Sequence, residues 1–526
     1  MGVKFLLQEG SFGLMEGAWM QCDDLRQVSS DIEVELSGAQ AGQLVPAPGC
    51  QFVWDIPFPY SSTEEWVRAA EAGKGSSEDL TPGALNKKYS RIVGGQRGNR
   101  PFSLPMVRRL AKQKNLTASR PIGDQSVCPD AVLQTLLGRV IDLLLLTIPD
   151  TEHFDASSPK DIFERLRALN GARRRNEKVQ WSLFSLDFVK CLLYLPHDLI
   201  LESWDHLLKL AKELGFSEAW VSPRRSSYKG ARSAPPPSKR GSWSRTPLSG
   251  VRGMLERVLS EMYVSHRPRK KKAARIGRQC LGLTMGIGAA PALCRMVMIV
   301  AERRALLSPE LAAFRRRYQG WLWSGFRFMD DARVVVSHPK GAPQDVIESA
   351  IREFTGIMWP SCMPWTRDNV NPTVGFFLFA TDGVLRWFPE PKTVKADFTV
   401  RMSSANRPHL TFQHFHSWVS DSLRRGVLLG TWAKCRAQSS DDACFEYALL
   451  LYATSLVRFH GFPAEYVVQS LDGWAKRPMN HGGGLRWPTI RASVTELLAS
   501  GRTSAQMVRF KAALQTGTLN SSIVSL

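Results

Sequence analysis

Cysteine is scarce in this chain, with nine residues in 526. None forms a C-x-x-C pair and none has a histidine at zinc-ligand spacing, so neither a disulfide framework nor a structural zinc is expected. Reduced thiols in a nuclear or cytoplasmic compartment fit better. Acidic residues are also in deficit, 48 Asp and Glu against 69 Lys and Arg, a net charge of +21. An excess of that size points to a polyanionic partner, nucleic acid first and an anionic membrane second. Long apolar runs are missing. Val140 to Ile148 is interrupted by Asp142, and Ala292 to Ala301 by Arg295, and both fall short of the ~20 residues a bilayer span requires. The first ten residues hold Lys4, Gln8 and Glu9 around a brief Phe5-Leu6-Leu7, so no secretory signal is expected. Internal repeats are absent as well. What is present is ordinary for a folded protein: 44% apolar residues, 40 glycines and 31 prolines, which excludes a collagenous or wholly disordered chain. At roughly 150 residues per domain the length allows about three domains or one multi-lobed enzyme.

Breakers and charge divide the chain. Residues 1–89 are acidic to neutral and weakly periodic, with turn clusters at Pro57 to Ser62 and Gly73 to Ser77, and no function is assigned to them. Between Pro101 and Pro149 the basic residues Arg108, Arg109, Lys112, Lys114 and Arg120 precede an apolar helical run from Ala131 to Ile148. This predicts a basic loop packed on a helix. Residues 222–248 hold Pro235-Pro236-Pro237 among Ser, Lys and Arg. Such a composition buries too little apolar area to offset its ordering entropy, so a flexible basic insertion is expected. Arg267 to Arg275 is a second basic run, either a solvated loop or a nucleic-acid contact. Helical periodicity over Phe415 to Leu429, Phe445 to His460 and Ala464 to Trp474 predicts a helical bundle in the C-terminal quarter.

The candidate chemistry rests on three carboxylates. Phe326 to Val336 (FRFMDDARVVV) reads as two β-prone runs hinged on adjacent acids, a hairpin with Asp330-Asp331 at its turn. Alone, such a turn is a common structural device, because Asp tolerates turn geometry. Apolar flanks, however, bury both strands, and two acids at a buried tip call for a cation. Mg²⁺ held by carboxylates and substrate phosphates is the usual one. Upstream, Leu183 to Val189 reads as a buried strand ending in Asp187, followed by Leu195-Pro196-His197-Asp198 and a helix start. Asp187, Asp330 and Asp331 together make the set that two-metal phosphoryl transfer requires. Between them, Gln279 to Pro291 (QCLGLTMGIGAAP) is a glycine-rich loop opening an apolar helix from Ala292 to about Leu307, with Pro291 suited to the first turn. Glycines let the backbone approach a ligand, here the sugar and base of a nascent pair; a tight turn packing the helix on a sheet is the alternative.

In this order of acid strand, glycine-rich loop with helix, and Asp-Asp hairpin, the chain resembles the reverse transcriptase palm. Its wording is similar to the Penelope-like branch, relatives of telomerase. Phe102-Ser103-Leu104-Pro105 and Ser119-Arg120-Pro121-Ile122 look like that family's finger segment, and Leu186-Asp187 through Leu195-Pro196 like its first-acid motif. Gln279, Gly282, Met285-Gly286 and Pro291, with Met298 and Glu302 beyond, resemble its glycine-rich motif, and Arg327 to Asp331 its two-acid motif. Asp382 to Leu385 with Pro391-Lys392-Thr393 resembles a later palm stretch, and Arg458 to Pro463 the thumb. The resemblance covers about residues 100–475. Met106, Ala290 and Leu192 depart from the family pattern, which there has Lys, Ser and an aromatic residue. No Gly-Ile-Tyr…Tyr-Ile-Gly endonuclease pattern follows the thumb.

The resemblance implies an α+β right-hand polymerase: fingers over 90–180, a palm of antiparallel sheet and helices over 181–394 with the basic insertion at about 222–248, and a helical thumb over 395–480. The flanking regions 1–89 and 481–526 have no assigned role. It implies a retroelement-type enzyme that copies an RNA template by adding dNTPs to a DNA primer 3′-hydroxyl. Asp187, Asp330 and Asp331 would be catalytic and hold two Mg²⁺ (or Mn²⁺), the first two most directly. By the same resemblance Arg120 grips the triphosphate, a role that suits a guanidinium fork, although a surface Arg before Pro121 is the alternative. Leu192 occupies the sugar-sensing place, and Gln279 and Gly286 lie at the substrate. Two rival readings stand beside this one: a catalytically impaired, polymerase-derived nucleic-acid-binding protein, and an RNA-dependent RNA polymerase.

Overall fold

A computed structural model describes residues 52–57, 59, 65, 106–112, 115–124, 131–156, 158–172, 179–188, 191–221, 244–266, 275–363, 365–367, 375–381, 383–396, 398–402, 412–477 and 487–500. The expectations for Phe102 to Pro105, for 222–243 and 267–274, for Asp382 and for the tail beyond residue 500 fall outside them. Strand β1 (Phe52–Trp54) is followed by β2 (Met106–Lys112), β3 (Asn115–Asp124), α1 (Ala131–Leu145) and α2 (Pro159–Ala172). Next come β4 (Val179–Phe188), the single turn α3 (Cys191–Tyr194), α4 (His197–Glu213), β5 (Glu218–Val221), β6 (Ser244–Pro247) and α5 (Leu248–Ser260). Then follow β7 (Tyr263–His266), β8 (Arg275–Gln279), α6 (Ala290–Leu306), α7 (Pro309–Arg317), β9 (Leu322–Phe328), β10 (Asp331–Pro339) and α8 (Gln344–Met358). β11 (Trp365–Arg367), β12 (Phe376–Thr381) and β13 (Val384–Pro389) precede the helices α9 (Asp421–Ala437), α10 (Asp442–His460), α11 (Ala464–Ala475) and α12 (Trp487–Ser500). The chain is thus mixed α+β. Among the described residues no helix is long and apolar enough to cross a membrane.

The sheet that matters is four-stranded, in the order β11-β4-β10-β9, with antiparallel neighbours throughout. Side chains alternate across a strand with period 2, and both faces here are covered. Phe184, Leu186 and Phe188 of β4 and Ala332, Val334 and Val336 of β10 join the largest core, with α1, α4, α5, α6 and α8. Trp181 of β4, Phe326 of β9 and Val335 of β10 face the other way, onto Ile162, Phe163 and Leu166 of α2 and Phe376, Leu378, Leu385 and Trp387 of the β12–β13 hairpin. A strand with apolar residues at both parities is what a sheet buried on two faces requires. The C-terminal helices form a separate cluster around α10, in which Ile490, Val494 and Leu497 of α12 join Trp432, Phe445 and Trp474.

Three expectations are corrected. The basic stretch after residue 105 is an antiparallel hairpin, not a loop: β2 pairs with β3, and its far edge meets β7. Tertiary strand pairing overrides the composition there. The basic insertion ends earlier than residue 248, because Ser244 to Pro247 pair with Val221 to Glu218 and Leu248 is buried at the start of α5. The first helix of the C-terminal bundle begins at Asp421 rather than Phe415, because the Ser420 side chain accepts the Leu423 N–H and caps it there.

Candidate active site

The β9–β10 turn consists of Met329 and Asp330. Phe328 pairs with Asp331, which is the first residue of β10. Across the sheet, Asp331 stands directly opposite Asp187, near the end of β4, and the Phe188 N–H donates to the Asp330 carbonyl at 3.1 Å. On its other edge Asp187 pairs with Thr366 of β11. The structure therefore brings all three predicted acids to one end of the sheet. Two details differ from expectation. Only Asp330 sits in the turn itself, and the tip is open: Asp187 and Asp330 are exposed and Asp331 is half-buried. By strand parity Asp187 and Asp331 belong to the face carrying Trp181 and Val335, away from the α6 core.

Two carboxylates directly opposite on one face of a sheet repel, so this pairing favours a cation between them. Among the described residues, however, no group of three or more His, Cys, Asp and Glu is gathered to hold a metal ion by itself. The all-oxygen donor set fits a Mg²⁺ held by one or two carboxylates and completed by water and substrate phosphates, not an all-protein cage.

The glycine-rich loop lies against two neighbours. Gly282 has φ +76°, and its N–H donates to the Leu195 carbonyl at 3.0 Å, while the Leu283 N–H donates to the Leu192 carbonyl at 2.6 Å. Leu192, half-buried in α3, is thereby fastened to the loop. Gly286 has φ +98°, and a Cβ there would stand 2.5 Å from the Gly123 carbonyl oxygen. The Gly123 N–H in turn donates to the Met285 carbonyl at 2.7 Å, so the loop joins β3 to the site. Gln279 is buried, its amide nitrogen donating to the Leu281 carbonyl at 2.9 Å and its amide oxygen accepting from Thr284 Oγ1. Its polar atoms thus serve the loop's own shape. Arg120 lies on β3 opposite Leu110; its side chain is outside the described ones. Behind the loop, Cys191 of α3 and Cys294 of α6 are buried with their sulfurs 3.1 Å apart. The hydrogen bond to Cys294 and burial push the Cys191 thiol above its ordinary pKa.

Sequence reasoning missed a buried ion network on the opposite face of the sheet. Arg327 of β9 is 0% exposed and pairs with Glu302 of α6, also 0%, Nε to Oε1 at 2.6 Å. Its Nη1 lies 3.2 Å from Asp155 Oδ1. Arg295 of α6 bridges Asp155 and Asp142, with contacts of 2.8 Å to each. Burial works against the Arg327 charge, yet Glu302 and Asp155 raise its pKa above the ordinary arginine value. Burial likewise raises the Asp142 pKa, Arg295 opposing it. The sequence signal was partial: Glu302 ends an apolar run and Arg327 interrupts another, but Arg303 and Arg304 directly after Glu302 offer it nearer partners, so only the fold shows which pair forms.

No protein-family model matches the chain, and no curated protein matches it in sequence. Among solved structures the chain is similar to telomerase. Telomerase from Candida albicans in complex with a TWJ fragment of telomeric RNA shares 10% identity at a TM-score of 0.44, over 84% of this chain and 68% of that one. Apo telomerase from Candida tropicalis gives 12% identity and a TM-score of 0.41, over 81% of this chain and 71% of the other. Telomerase from Candida tropicalis with the same type of RNA fragment gives 12% and 0.38, over 84% and 70%.

Proposed function

We propose that the chain is an RNA-directed DNA polymerase of the Penelope-like kind, adding dNTPs to a primer 3′-hydroxyl on an RNA template. The observation that supports this most is the register that sets Asp187 opposite Asp331 with Asp330 on the adjoining turn. Asp187, Asp330 and Asp331 would hold Mg²⁺, which when bound supplies charge neutralisation at the attacking hydroxyl and the leaving pyrophosphate. The chain's own part is mainly positioning, as in phosphoryl transfer generally. The three acids fix where the primer end and the triphosphate meet, Arg120 grips the triphosphate, and the loop around Gly286 brings backbone close to the nascent pair. Leu192 stands under the incoming sugar.

The test is primer extension on poly(A)/oligo(dT) with Mg²⁺, run with dTTP and separately with UTP. Template-dependent incorporation of dTTP supports the proposal. Preference for UTP would favour an RNA-dependent RNA polymerase instead. Tight duplex binding without extension would favour a binding protein that has lost turnover, a reading suggested by the departures from the family pattern at Met106, Leu192 and Ala290.

A further inference from the structure

The two-residue turn at the tip of the β9–β10 hairpin has positive φ at its first residue, as type II′ turns do, and glycine is the residue that normally stands there. Here Met329 does, at φ +57°. A non-glycine residue held in that region costs about 1–3 kcal/mol and persists only where its surroundings over-determine it. The surroundings are visible. Arg327 Nη1 donates to the Met329 carbonyl at 3.1 Å, and that carbonyl belongs to the peptide leading into Asp330. The guanidinium is itself clamped: Nε and Nη2 donate to the two Glu302 oxygens at 2.6 and 3.3 Å. Glu302 in turn accepts the Trp359 Nε1–H at 2.9 Å and the Phe154 N–H at 3.0 Å. The Arg327 main chain is held too, its N–H donating to the Phe154 carbonyl at 2.7 Å and its carbonyl accepting the Ala156 N–H at 2.8 Å.

We propose that Arg327 and Glu302 are positioning residues, which hold the Met329–Asp330 peptide in its left-handed turn from the back of the sheet and so set the carboxylate of Asp330 against Asp187. Neither touches substrate. Strand parity puts Arg327 on the face of Ala332, opposite the face of Asp187 and Asp331, so the effect passes through the backbone alone. The proposal rests on the polymerase reading for its consequence in turnover, but not for the geometry of the turn.

The experiment compares full-length wild type, Arg327→Lys, Met329→Gly and the double variant. Lysine keeps the charge facing Glu302 and loses the fork; glycine adopts positive φ unaided. Hydrogen exchange at the Phe188 amide, which donates to the Asp330 carbonyl, reads the turn directly. It should quicken about tenfold in Arg327→Lys and return to within about threefold of wild type in the double variant. Primer extension on poly(A)/oligo(dT) with dTTP should show kcat reduced about tenfold or more in Arg327→Lys, KM and duplex affinity within about threefold, and recovery on adding Met329→Gly. If Arg327→Lys leaves both exchange and kcat unchanged, or if Met329→Gly restores neither, the pair is part of the core only and the proposal is overturned. A wild type that extends no primer would sink the polymerase reading, while the exchange arm still decides the turn.

Discussion

At Gly282 an added methyl group would meet the backbone of α3 itself. Its Cβ would stand 2.2 Å from the Leu193 oxygen, 2.4 Å from the Leu193 carbonyl carbon and 2.7 Å from the Leu192 oxygen, and the residue has φ +76°. No rotamer change relieves a clash with main chain, so the loop and α3 must separate. Separation removes the two hydrogen bonds that join them, Gly282 N–H to the Leu195 carbonyl at 3.0 Å and Leu283 N–H to the Leu192 carbonyl at 2.6 Å. Left-handed alanine costs about 1–2 kcal/mol. Two lost hydrogen bonds at about 0.5–1.5 kcal/mol each bring the expected loss for Gly282→Ala to about 2–5 kcal/mol, a large share of the ~5–15 kcal/mol that stabilises a typical domain. Gly320→Ala is the control, because Gly320 has φ +85° and nothing within 4 Å of its Cβ position. It should lose only the conformational part, about 1–2 kcal/mol. Parallel urea titrations, followed by circular dichroism and analysed by linear extrapolation, give the difference, expected near 1–3 kcal/mol from the hydrogen bonds alone. Equal losses in the two variants would refute the reasoning, since they would mean that the loop does not rest on α3.

Other expectations follow from the same geometry. Asp187→Ala or Asp330→Ala removes a carboxylate from an exposed tip, so primer extension should fall by several orders of magnitude while duplex affinity stays within a few fold; near wild-type extension by both would remove them from catalysis. Leu192→Phe places a ring at the position proposed to sense the sugar and should raise dNTP over rNTP preference about tenfold, or about 1.4 kcal/mol; single-nucleotide kinetics showing an unchanged ratio with both rates reduced would point to an overpacked corner instead. His460 is buried, with Nδ1–H donating to the Ser455 carbonyl at 2.8 Å and Nε2 accepting the Phe412 N–H at 3.1 Å, and burial lowers its pKa. The unfolded chain then binds the proton more readily, so this contribution to stability is complete above the ordinary value of about 6.5 and is lost as pH falls from there through the lowered folded value. The melting temperature should drop between pH 7.5 and 5.5, and by less in His460→Gln; an identical drop in that variant would clear His460.

Much of the site was legible because its signals are local. An acid closing an apolar run, a Gly-rich stretch ahead of an apolar helix, and two acids between β-prone runs each predict an element, and β4, α6 and the β9–β10 hairpin answer them. What could not be read was set by distance in sequence. That β2 and β3 are strands shows in their pairing with each other and, at Met106, with β7, more than 130 residues later. The Asn115–Asp124 strand carries Asn, Pro, Gly and Asp, which are depleted in strands, and has little strand character of its own. Gln279 read as a ligand-facing residue by resemblance, but its amide closes on Leu281 and Thr284, and only the folded loop shows that. The exposure of the tip was misread for a related reason. Apolar flanks report the burial of the strand bodies, whereas Asp187 is exposed on the face opposite the core that covers its neighbour Phe188, and Asp330 is exposed in the turn.

The buried Arg327–Glu302 pair raises a question that stability alone does not answer. Replacing a buried ion pair with packed apolar side chains is often neutral or stabilising by about 1–4 kcal/mol, because desolvation consumes the Coulomb gain. Both residues are 0% exposed, so the pair sits where that argument applies most strongly. A methionine–leucine pair of similar volume would fill the space, yet it could not donate to the Met329 carbonyl. Directionality is what the guanidinium adds: its fork is fixed by Glu302 on one edge and aims Nη1 at the turn from the other. The strained φ at Met329 and the charged pair beneath it are therefore a single device, in which a residue that ordinarily disfavours the turn is kept in it by a donor reaching through from the opposite face of the sheet.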